Sequence, residues 1–168
     1  LLRIRRPPRS PLVPYRSLFR SAQRLAPVQK ALAVLPREDL DQLLTLEKKS
    51  PQGVGEFDGI RDDLARQSVG KGGEDAKLSV PQAELDRVVE LAQDKKQPSD
   101  ALLLGWYNIV RDKPQDAERW FTQARQAEDS AQASQGLALA QVALGKSPDA
   151  EDVLYKWRDE NEDTQKTY

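Results

Sequence analysis

Apolar residues recur along this chain at spacings of three and four. No stretch shows the apolar/polar alternation of a half-buried strand. The pattern therefore predicts helices throughout, an all-α fold. From Tyr15 onward, Leu18, Leu25, Val28, Ala31 and Leu32 fall near one helical face, and Arg16, Arg20 and Arg24 recur at i, i+4 on another. Pro36 opens a helix with Leu40, Leu43, Leu44 and Leu46 as its apolar set, and Ser50-Pro51-Gln52-Gly53 ends it. Phe57, Ile60 and Leu64 mark a helix over 56–67. Gly70-Lys71-Gly72-Gly73 then reads as a flexible loop within 69–78; it lacks the GxxxxGK[ST] spacing of a phosphate-binding loop. Ser79-Val80-Pro81-Gln82 reads as a capped helix start, with Ser79 and Gln82 forming a capping box and Leu85, Val88, Val89 and Ala92 forming the apolar face.

The pattern is sharpest after residue 97. Leu102, Leu103, Trp106, Tyr107 and Val110 share one helical spacing. Pro114 opens a second helix with Ala117, Trp120, Phe121 and Ala124 facing inward. Residues 131–144 form a third, closed by Gly145, and Pro148 opens a fourth with Ala150, Leu154 and Trp157.

Composition narrows the chemistry. The 168 residues contain no Cys, Met or His, which removes thiol nucleophiles, disulfides, imidazole bases and His- or Cys-ligated metals. No Asp-x-Asp-x-Asp-Gly pattern marks a calcium loop. The carboxylate runs Asp62-Asp63 and Asp159-Glu160-Glu162-Asp163 sit in polar surroundings and read as solvated faces rather than catalytic pairs. No catalytic residue, metal site or cofactor is expected, and the chain is read as a non-enzyme. It opens on Leu1, which points to a processed or excised segment.

The net charge of -1 conceals an asymmetry. Residues 1–30 carry Arg3, Arg5, Arg6, Arg9, Arg16, Arg20, Arg24 and Lys30 with no acid, a charge of +8 that leaves -9 on the remainder. Pro7, Pro8, Pro11 and Pro14 make residues 1–14 an extended or disordered basic arm, and residues 15–35 follow as a basic amphipathic helix. Such a segment suits an anionic membrane surface or the chain's own acidic body. Tyr15 and Phe19 are too few to stack bases, so nucleic acid is not an expected partner.

Residues 112–121 (DKPQDAERWF) align with 145–154 (GKSPDAEDVL) at an offset of 33. Lys113 matches Lys146, Asp116-Ala117-Glu118 matches Asp149-Ala150-Glu151, and Phe121 matches Leu154 in character. A helix–turn–helix unit near 34 residues resembles the tetratricopeptide (TPR) repeat. Leu104-Gly105, Ala117, Phe121 and Ala124 fit the family pattern in one unit; Leu137-Ala138, Gly145, Ala150 and Leu154 fit it in the next. Ala101, Asn108, Asp129 and Trp157 depart from it. The resemblance implies degenerate helical hairpins over 36–97, two TPR-like repeats over 98–163 and a tail at 164–168. It also implies a concave groove formed by Leu102, Trp106 and Ile109 with Gln135, Leu139 and Val142, for one or more protein partners or for a preceding helix of the chain itself. This groove lacks the Lys and Asn residues of a carboxylate clamp. The runs Gly105-Trp106-Tyr107, Ala117-Glu118-Arg119-Trp120-Phe121, Gly136-Leu137-Ala138-Leu139-Ala140 and Trp157-Arg158-Asp159 look like TPR proteins of bacterial exopolysaccharide (cellulose-type) secretion. That likeness implies a scaffold in a larger periplasmic or envelope assembly, with the cytoplasm as the alternative. A subunit that positions a catalytic partner is the remaining expectation.

Overall fold

A computed structural model describes residues 25–32, 34–51 and 53–157. Among the described residues the regular structure is helical: α1, described over 25–32, then α2 (Arg37–Thr45), α3 (Asp58–Glu74), α4 (Gln82–Asp94), α5 (Pro98–Ile109), α6 (Pro114–Ala127), α7 (Ala131–Ala143) and α8 (Ser147–Tyr155). The chain divides into two compact units, Leu1–Ile60 and Arg61–Tyr168.

In the first unit Val28, Leu40, Leu44, Phe57 and Ile60 are buried. Leu46, expected in the apolar set of its helix, lies past the end of α2 and is exposed. Here the Glu47 carboxylate accepts from the Phe57 N–H at 2.9 Å, and Ser50 Oγ accepts from the Val54 N–H at 3.1 Å. These bonds help satisfy the backbone of a segment that carries an isolated Lys49–Gly55 bridge.

The second unit is a run of helices in which α4 packs on α5, α5 on α6 and α7, α6 on α7, and α7 on α8. Ala65 and Val69 of α3, Val88 and Ala92 of α4, and Leu104 of α5 form one buried cluster. Here the expected loop at 69–78 is corrected: Gly70, Lys71, Gly72 and Gly73 belong to α3, which continues to Glu74. A glycine inside a helix costs about 1 kcal/mol relative to alanine. The compensation is close packing, because a Cβ at Gly72 would collide with Val80 and press on the Tyr107 ring. Arg111, stacked 3.8 Å over that ring, donates to the carbonyls of Gly72 and Leu78, so the end of α3 and the connection to α4 are held from the turn that follows α5.

The expected capping box is also corrected. Pro81 occupies the N-cap of α4 and no side chain caps it. The Gln82 amide instead donates to Asp86 Oδ1 at 2.7 Å, one helical turn along. The Asp62-Asp63 pair is corrected in half: Asp63 is exposed, whereas Asp62 is buried. Asp62 accepts from Arg87 Nε at 2.6 Å and from Lys95 Nζ at 3.2 Å. Arg66, one turn later on α3, grips Asp100 through two bonds of 2.6 and 3.0 Å, with the Asp100 side chain fully buried. These two forks tie α3 to both neighbours. A buried carboxylate with a bidentate arginine is costly to break from one side, because the charge left behind has no solvent to receive it.

Phe121 is the largest fully buried side chain of this unit. Its ring is completely buried with Ala117, Leu137 and Ala140, and the edge of Trp106 meets it at a centroid distance of 5.0 Å and an interplanar angle of 74°. A Cβ at Gly105 or at Gly136 would fall well inside contact distance of the same ring. Gly136→Ala is therefore expected to cost about 2 kcal/mol, the usual scale for overpacking a core. Phe121→Leu, which withdraws the ring edge, should recover part of that loss, so denaturant titrations of the two single variants and the double variant should be less than additive.

Burial pushes the Asp62 carboxyl up, but hydrogen bonds from Arg87 and then Lys95 outweigh it and hold it below its ordinary 3.8. A carboxyl lowered in the folded state contributes stability above its unfolded pKa and loses it as pH falls through the folded value. Asp62→Asn should therefore flatten the slope of stability against pH as pH falls below the ordinary carboxyl value. Urea unfolding across that range measures the slope. An unchanged slope would show that the fork carries no folding energy.

Candidate functional site

The 33-residue offset read in the sequence recurs in the backbone. At the α5–α6 turn, Arg111 N–H donates to the Asn108 carbonyl, Asp112 N–H to Ile109, Lys113 N–H to Asn108 and Ala117 N–H to Lys113. Thirty-three residues on, Leu144 donates to Gln141, Gly145 to Val142, Lys146 to Gln141 and Ala150 to Lys146. The left-handed residue falls at the matching place in both turns, Asp112 at φ 55° and Gly145 at φ 75°. Burial keeps the same register. Ala101 and Ser134, Leu104 and Leu137, Gly105 and Ala138, Asn108 and Gln141, Ala117 and Ala150, and Phe121 and Leu154 are all buried. The chain thus contains one helix–turn–helix geometry twice in succession, as α5/α6 and α7/α8.

The six expected groove residues occupy three pairs of equivalent positions and meet different surroundings. Leu102, Trp106 and Ile109 are half-buried and packed over Ala117, Phe121, Leu137 and Ala140, so the following helix pair covers them. Gln135 is half-buried. Leu139 is 36% exposed and Val142 51% exposed. On the face of α7 that corresponds to the covered face of α5, Leu139 and Val142 are therefore the exposed positions. Tyr155 of α8 is 61% exposed. The basic-arm residues Arg3, Arg5, Arg6, Arg9, Arg16, Arg20 and Arg24 lie outside the described residues.

The aligned residues also contain an ion pair that joins the two helix pairs. Glu118 of α6 accepts both oxygens' worth of contact from Lys146 Nζ, at 2.9 Å each, joining the first helix pair to the turn of the second. Glu151 is the residue 33 positions after Glu118. It is exposed, and no ion pair holds it among the described residues. Asp149 and Asp152 are exposed on the same helix, while Lys156 is engaged by Asp129 at 2.6 Å. Hydrogen bonds from Lys156 and then Arg125 hold the Asp129 carboxyl below its usual range. Thus α7 carries no charged side chain, and α8 exposes three carboxylates.

A second concavity, of about 450 Å³, lies against α4 and α6 and is lined by Gln93, Trp120, Gln123 and Glu118 among others. Two of these groups serve packing: the Gln123 amide donates to the Ala92 carbonyl at 2.8 Å, and Glu118 holds Lys146. Among the described residues, no three acidic side chains gather as a metal site, and no helix is long and apolar enough to cross a membrane.

No family model, curated protein or solved structure matches this chain.

Lys146 is 45% exposed and Glu118 24% exposed, so their pair belongs to the modest class of partly solvated bridges. Lys146→Glu should lower stability by about 1 kcal/mol through like-charge repulsion, and Glu118→Lys in the same chain should restore it. Thermal unfolding of the two single variants and the exchanged pair tests the link. Equal melting of all three would remove it as a contact between the helix pairs.

Proposed function

We propose that this protein is a non-catalytic, TPR-like helical-repeat scaffold that mediates protein–protein interaction in a larger assembly. The observation that carries this reading is the helix–turn–helix geometry repeated at 33 residues, with Leu139 and Val142 of the second pair exposed where Trp106 and Ile109 of the first are half-buried. Helical repeats of this length bury a continuous core only by stacking, and they bind partners through the surfaces the stack presents. An exposed apolar patch with a polar rim is the usual mark of such a surface. Placement in the bacterial envelope, in exopolysaccharide secretion, is supported by the likeness of the short runs around Gly105, Ala117, Gly136 and Trp157 to such TPR proteins.

Leu139→Asp with Val142→Asp changes only exposed positions, so circular dichroism and melting temperature should stay close to those of the parent. The same variant should lose its binding partner when both proteins are used to capture complexes from the native source. A folded double variant with an unchanged partner would place the interaction elsewhere on the chain.

A further inference from the structure

The geometry points to a binding groove for an uncharged oligosaccharide between the end of α4 and the outer face of α6. This role goes beyond the repeat scaffold and is independent of the exposed positions on α7. The concavity there, about 450 Å³, falls within the size range of small-ligand sites, roughly 300–1,000 Å³. Its α6 wall is one continuous helical face, because Thr122, Gln123 and Gln126 follow Glu118 and Arg119 at spacings of three and four. Gln93 forms the α4 wall, and the hydrogen bond from Gln123 to the Ala92 carbonyl ties the two walls together.

The lining combines one aromatic side chain with unused amides. Trp120 is half-buried: it packs against the cluster of Ala65, Val69, Val88, Ala92 and Leu104, and it also lines the groove. Among the described residues its indole N–H has no hydrogen-bond partner, and neither have the side chains of Gln93, Thr122 and Gln126. Gln123 engages only its amide nitrogen, which leaves its oxygen as an acceptor. An amide offers two donors and an accepting oxygen, and a hydroxyl one donor and two lone pairs. The wall therefore both gives and accepts hydrogen bonds along one edge of an indole.

Charge separates the ligand classes. Charged residues make up 32% of the chain, yet only Glu118 and Arg119 line this groove. Glu118 is neutralised by Lys146 at 2.9 Å. The Arg119 side chain is 83% exposed with Asp116 at 3.8 Å, so it stands at the rim. A polyanion such as nucleic acid needs several cations, and here one wall carries a carboxylate instead. A wholly apolar ligand would displace water from the amides and leave them unpaired. A sugar meets both demands: its C–H face covers an aromatic side chain, and its hydroxyls donate and accept without charge.

NMR titration of the full chain tests this, with maltohexaose, cellohexaose and chitohexaose as neutral probes and an oligogalacturonate as the charged control. The chain has three tryptophans, and loss of one indole N–H signal in Trp120→Phe assigns Trp120 among them. At least one neutral probe is expected to shift that signal while those of Trp106 and Trp157 stay in place. The expected Kd is about 1 mM, the scale of an open site with a few hydrogen bonds. Gln93→Ala with Gln126→Ala changes only exposed positions, so the fold is kept, and binding should weaken about tenfold.

A Trp120 signal left in place by all three neutral probes at about 10 mM, well above the expected constant, would overturn the proposal. Undiminished binding by the Gln93 and Gln126 double variant would overturn the placement in this groove. A shift produced by the oligogalacturonate alone would overturn the uncharged class in favour of an anionic ligand held by Arg119.

Discussion

The second unit depends on one wedge. Phe121 projects from α6 into the angle between α5 and α7, and both neighbours give up a side chain to admit it, at Gly105 and Gly136. The ring is fully buried, and Trp106 closes its edge. Two glycines in helix interiors each cost about 1 kcal/mol of intrinsic helix stability. Burial of a phenyl ring against three helices contributes about 2–3 kcal/mol, with the edge contact of Trp106 in addition. The balance favours the wedge and fixes how closely successive helix pairs approach. That spacing brings Lys146 within reach of Glu118, and it leaves Leu139 and Val142 facing outward at the end of the run.

Polar contacts do different work at the start of the same unit. There α3 is held by Asp62 with Arg87 and Lys95, by Arg66 with Asp100, and by Arg111 on the carbonyls of Gly72 and Leu78. The Asp100 carboxylate accepts from Arg66 and holds the guanidinium above its ordinary value. Forks of this kind specify one angle and one register between helices, whereas an apolar cluster such as Ala65, Val69, Val88, Ala92 and Leu104 tolerates small slips. The apolar terms supply cohesion and the ionic terms choose the arrangement.

Much of this is legible in the sequence where the information is local. The helices after residue 97 follow from i, i+3, i+4 spacing and from Pro114, Pro148 and Gly145. The repeat register follows from the paired Lys and Asp-Ala-Glu residues, and the turn hydrogen bonds keep it. The failures are non-local. Gly70 to Gly73 obey the local rule for a loop, but Leu103, Trp106 and Tyr107, thirty-odd residues away, pack against the three glycines. Ser79 and Gln82 have the spacing of a capping box, yet the backbone places Pro81 at the cap. Within α5 the spacing picks out Leu102, Leu103, Trp106, Tyr107 and Val110, whereas Ala101, Leu104, Gly105 and Asn108 are buried most deeply. A helix flanked on both sides buries its narrow, small-residue faces and leaves its large residues at the edges. The pairing of Asp62 and Arg66 with residues 25 to 34 positions away has no local signature.

The central claim is that α5/α6 and α7/α8 form one coupled run through Phe121. Native-state hydrogen exchange on Phe121→Ala tests it most directly, since exchange resolves the opening of separate segments. If the wedge couples the pairs, amides of α5, α6 and α7 lose protection together, by at least about tenfold for each 1.4 kcal/mol removed, while α4 keeps more of its own. Loss confined to α6, with α5 and α7 as protected as in the parent, would contradict the account.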